Sequence, residues 1–164
     1  MTTLYVDNIA PNLQSKISAP NLTLPTGSVL QVQNGTTLTG GLNTTSASYT
    51  ATGVKVTITP STANSKIYVT ANAGLQNGTG GGGTQLGLYR KIGSGTSTFL
   101  HHQGGSGLVQ YDSGNNNISA GVMVLLDSPN TTSAVEYELY YKRYNTGTSY
   151  FFANAQIVAM EIAG

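Results

Sequence analysis

The sequence predicts an all-β fold, a jelly-roll or β-sandwich head preceded by an extended N-terminal arm. Apolar residues recur at a spacing of two through most of the chain, and no stretch repeats convincingly at three and four. Turn-forming dipeptides break the alternation at short intervals, while prolines crowd the opening segment. The 164 residues suffice for one domain with a core of its own.

The arm is assigned to residues 1–28 and the head to residues 29–164. Ala10-Pro11-Asn12-Leu13 returns as Ala19-Pro20-Asn21-Leu22, and Leu24-Pro25-Thr26-Gly27 follows. Proline at this density forbids a continuous helix or a central strand. The arm is therefore extended, with apolar teeth at Leu4, Val6, Ile9, Leu13, Ile17, Leu22 and Leu24. Such teeth suit an anchor that buries them against other copies or other proteins.

In the head, Val54, Val56 and Ile58 alternate with Lys55, Thr57 and Thr59, and Ile67, Val69 and Ala71 alternate with Lys66, Tyr68 and Thr70. Val135, Tyr137, Leu139 and Tyr141 share one strand face, with Glu136, Glu138 and Tyr140 on the other. Two segments, Val122–Leu126 and Ile157–Ile162, are apolar on both faces. A strand apolar on both faces is covered on both. In a small β domain the second cover is a partner subunit or an overlying loop; the first reading makes Val158, Met160 and Ile162 candidates for a subunit interface. Asn34-Gly35 and Asn77-Gly78 read as tight hairpin turns and Gly80–Gly83 as a loop tip. About eight strands result, the count of a sandwich or jelly roll.

Charge sets the choice of partners. Asp, Glu, Lys and Arg make up 8% of the chain, with a net charge of +1. Ser, Thr, Asn and Gly supply roughly 45% and clothe the surface. So weak a field gives no reason to expect nucleic acid as a partner. No run is long and apolar enough for membrane insertion as a helix, and residues 1–11 lack the pattern of a signal peptide. The absence of cysteine removes disulfides and thiolate metal sites.

Catalytic constellations are not legible either. His101-His102 are adjacent, so on a strand they point to opposite faces, and Asp112 is the sole nearby carboxylate. Glu136 and Glu138 stand within the roughly 5–9.5 Å that glycosidase carboxyl pairs use, but an exposed charged face is the simpler reading. No Gly-x-Ser-x-Gly elbow and no phosphate loop occur. The expectation is a protein that is not an enzyme and needs no cofactor or metal. Aromatic rings beside glycine-rich loops remain as recognition chemistry: Phe99, His101, His102 and Tyr111 are the candidate receptor contacts. Binding by rings and amides is expected to be insensitive to salt and to chelators.

Several strings carry a resemblance. Met1-Thr2-Thr3-Leu4-Tyr5-Val6-Asp7-Asn8-Ile9 and Leu24-Pro25-Thr26-Gly27-Ser28-Val29-Leu30-Gln31-Val32 resemble segments of fibre and virion appendage proteins of marine and cyanobacterial phages. Thr52–Ser61, Ser65–Val69 and the closing Val158–Ile162 resemble the head domains of the same proteins. Such heads are similar to the trimeric jelly rolls of tumour necrosis factor and of complement globular heads. The resemblance implies a virion structural protein, assembled in the host cytoplasm. As a short trimeric tail fibre, it would hold the particle (baseplate, tail or capsid) by its arm and touch a host surface glycan or protein with its head. A capsid decoration, cement or head-fibre protein is the alternative, and a polysaccharide depolymerase a third reading without a carboxylate constellation to support it.

Overall fold

A computed structural model describes residues 24–78, 81–100, 108–112 and 118–164. The anchor candidates Leu4, Val6, Ile9, Leu13, Ile17 and Leu22 lie outside the described residues, as do His101 and His102. Every element of the described residues is a strand: β1 Val29–Asn34, β2 Leu42–Thr44, β3 Thr50–Ile58, β4 Lys66–Asn77, β5 Gly82–Ile92, β6 Thr98–Phe99, β7 Leu108–Asp112, β8 Ile118–Asp127, β9 Val135–Tyr144, β10 Ser149–Phe151 and β11 Gln156–Ile162.

They form two antiparallel sheets. The first runs β1–β11–β4–β8, with β10 and β2 continuing beside the far half of β4. The second runs β3–β9–β5, and β5 gives its other edge to β6 and β7. The predicted alternation holds in β3, β4 and β9, whose inward residues Val54, Val56, Ile58, Ile67, Val69, Ala71, Val135, Tyr137, Leu139 and Tyr141 are all buried. Leu86 and Leu88 from β5 and Ile157 and Ala159 from β11 complete the core. Each such large aliphatic side chain contributes about 1.5–3 kcal/mol by leaving water.

Several turn assignments need correction. Asn34-Gly35 makes no hairpin: Gly35 continues along β11, its N–H donating to the Ile157 carbonyl at 2.8 Å. Asn77-Gly78 makes none either, because β4 and β5 belong to different sheets. Asn77 is instead fully buried, and its Nδ2 donates to the carbonyls of Gly83 (3.0 Å) and Thr146 (3.1 Å). The expected glycine loop tip is partly strand: Gly82 and Gly83 open β5 and are buried, and a side chain at Gly82 would meet the Thr146 carbonyl. A glycine-specific conformation does occur at Gly53, where φ is +78° and the β3–β9 register slips between Ala51 and Lys55.

β11 departs from its apolar reading at Glu161, which is fully buried. Its carboxylate accepts from the Ser61 N–H and hydroxyl (both 2.6 Å) and from Gln31 Nε2 (2.6 Å). Burial pushes the Glu161 carboxyl up, but hydrogen bonds from Ser61, Ser65 and Gln31 outweigh it and hold the group below its ordinary 4.5. A carboxyl lowered in the folded state stabilises the fold fully above its ordinary value and loses that contribution as pH falls through the lowered one. Glu136, lowered chiefly by its hydrogen bond from Lys55, has the same sign. The unfolding midpoint is therefore expected to drop as pH falls below about 4.5, and Glu161→Gln to flatten that drop while lowering stability at neutral pH. Urea titrations across this range check it; an unchanged acid slope in the variant would count against Glu161 as its source.

Candidate functional site

The outer face of the first sheet is apolar over much of its area. Registration aligns Val32, Met160, Tyr68 and Leu126 across four strands, and Asn34, Val158, Thr70 and Val124 in the next row. Val29 and Ile162 flank them on one side, and Val122 and Ile118 on the other. A bulge in β1 between Val29 and Gln31 turns both valines outward while Gln31 meets Glu161 inside. Val29, Val32, Ile118, Val122, Val124 and Leu126 are between 50% and 66% exposed. Val158, Met160 and Ile162, the residues assigned to the interface from sequence, lie half-buried on this same face. Lys66 is the one charged member of these rows. Monomers rarely expose a contiguous apolar patch above a few hundred Å².

The outer face of the second sheet carries rings. Tyr89 lies 4.0 Å from Tyr140 and 5.2 Å from Phe99, and Tyr49 lies 5.4 Å from Phe99, all measured between centroids. Tyr49 meets Tyr89 edge-on at 5.8 Å. The rings settle over Gly87, where a Cβ would come within 2.9 Å of both Phe99 Cε2 and Tyr49 Cε1. Glycine thus leaves the hollow that the rings fill. Lys142 Nζ sits 4.6 Å above the Tyr49 ring. Beside them Glu136 pairs with Lys55 (2.9 Å) and Lys91 (3.0 Å), and Glu138 accepts from the Gly53 N–H. The charged face expected of these glutamates is present, with Glu136 held by two lysines.

Of the receptor-contact candidates, Phe99 joins this cluster, and Tyr111 falls on β7 opposite Gly83. Tyr49, Tyr89, Tyr140 and Lys142 were missed. The available signal was Tyr140, read correctly as facing away from the core. Among the described residues no three His, Asp or Glu side chains group as metal ligands, and no helix is long and apolar enough to cross a membrane.

No protein-family model matches the chain, and no curated protein matches it in sequence. Among solved structures, the Eiger tumour necrosis factor of S. frugiperda superposes with a TM-score of 0.51 at 9% identity, over 80% of this chain and 92% of that one. The fold is a tumour-necrosis-factor-like jelly roll. A chain of infectious bursal disease virus, Gx strain, gives a TM-score of 0.49 at 15% identity; it covers 96% of this jelly roll, which spans 37% of the viral chain. At such identities the likeness is one of fold alone.

Proposed function

We propose that this chain is a virion structural protein, a short trimeric phage tail fibre that works by binding and not by catalysis. The carrying observation is the apolar outer face of the β1–β11–β4–β8 sheet. Packing that face against copies of itself would remove its valines, leucine and methionine from water without stranding more than one lysine per subunit. The trimer and the phage setting are supported by the sequence resemblance, in which jelly-roll heads associate around their terminal strands. The arm holds the particle, and the second sheet's outer face looks away from the packed one.

Among the described residues, main-chain ties to the terminal strand begin at Gly27, whose N–H donates to the Ala163 carbonyl, while the Ala163 N–H donates to the Ser28 carbonyl. A chain lacking residues 1–26 keeps both bonds. It is expected to fold, to run as a trimer in light scattering at micromolar concentration, and to be absent from assembled particles. A monomeric full-length chain would sink the trimer; incorporation of the shortened one would sink the arm as anchor. Imaging labelled chain on the capsid shell instead of the tail would favour the decoration role.

A further inference from the structure

The rings over Gly87 carry more than packing. They come from three separate segments: Tyr49 from the approach to β3, Tyr89 and Phe99 from β5 and β6, and Tyr140 from β9. Each is half-buried, so each keeps part of its surface in water.

Charge around the cluster is uneven. Glu136 is shared by Lys55 and Lys91, and the Glu138 carboxylate already accepts a main-chain N–H. Among the described residues Lys142 is in no ion pair; its contact is the Tyr49 ring face. An ammonium group held over a ring retains N–H donors for an anion.

We infer that Tyr49, Tyr89, Phe99, Tyr140 and Lys142 form a subsite for a carboxylate-bearing sugar, a uronic-acid unit of a surface polysaccharide. The C–H face of the pyranose packs on the rings, its carboxylate accepts from Lys142 Nζ, and its hydroxyls exchange hydrogen bonds with the phenols of Tyr89 and Tyr140. On this face, Lys142 is the described cation outside an ion pair, and it selects acidic over neutral sugar. That single contact is the exception to an otherwise nearly field-free surface.

The inference rests on the reading of the head as a host-contacting module, but its test is independent of the particle. Purified full-length chain is titrated with trigalacturonate and with its methyl ester, which keeps the shape and removes the charge, by ligand-observed NMR and calorimetry. The acid is expected to bind with weak, millimolar-range affinity, and the ester about tenfold more weakly. Lys142→Met should erase the difference between the two while leaving ester binding, and Lys142→Arg should restore it. Phe99→Ala should weaken both ligands, with the chain's mass in light scattering unchanged. Equal affinity for acid and ester, a preference that survives Lys142→Met, or no binding of either probe at millimolar concentration would overturn the subsite. None of these outcomes alters the oligomer mass or particle attachment, which test the fibre reading separately.

Discussion

Val158→Glu and Val124→Glu are each expected to yield a folded chain that no longer assembles. Both positions lie in one cross-strand row on the outer face of the first sheet, Val124 at 50% exposure and Val158 half-buried. In a lone subunit a carboxylate there reaches water, so the fold survives, as surface substitutions usually allow. In an assembly the same carboxylate is buried, and Thr70 between the two positions offers no positive charge. An unpaired buried charge costs several kcal/mol, and symmetry repeats the cost in every subunit. Light scattering should show the mass falling to that of the monomer, with the β-type circular dichroism retained. Thr98→Glu, on the opposite sheet, is the control and should leave the mass unchanged. A Val158→Glu chain that keeps the parent's mass would remove this face as the interface.

Asp127→Ala should produce the largest loss of stability among single polar substitutions. Asp127, at the end of β8, accepts from Arg90 Nη1 with both oxygens at 2.9 Å and from the Tyr137 hydroxyl at 2.7 Å. The pair is largely enclosed, with side-chain exposures of 22% for Arg90 and 11% for Asp127. Burial, followed by the bond to Asp127, pushes the Tyr137 phenol well above its ordinary value, so it remains a donor throughout the accessible pH range. Truncating the acceptor strands a guanidinium and a phenol together, at about 3–5 kcal/mol for breaking a buried pair from one side. For a domain of this size that corresponds to a fall in Tm of about 10 °C. Tyr137→Phe, which removes one hydrogen bond and leaves the ion pair, should cost only about 1 kcal/mol. Thermal unfolding of the two variants checks the order; a shift under about 2 °C for Asp127→Ala would show that water already satisfies Arg90.

The sequence by itself determined the faces of the long strands and the apolar outer side of the terminal strand, although it suggested about eight strands where the described residues form eleven. Side chains alternate across a strand with a period of two, so Val135, Tyr137, Leu139 and Tyr141 declare a buried face without any knowledge of what covers it. The doubly apolar runs at Val122–Leu126 and Ile157–Ile162 declared a second apolar face by the same logic. What the period cannot encode is which strands become neighbours. Asn77-Gly78 has the composition of a hairpin turn, yet β4 enters one sheet and β5 the other, so Asn77 turns inward and hydrogen-bonds across the end of the sandwich. Glu161 stands in an apolar run, and only the approach of Gln31 and Ser61, distant in sequence, makes a buried carboxylate tolerable there. The ring cluster likewise needed registration: Gly87 lies opposite Tyr140, and Phe99 opposite Tyr89, because β5 is shared by β9 and β6. Strand faces are local and follow from backbone geometry, whereas these sites are built from long-range pairing, which tertiary packing alone decides.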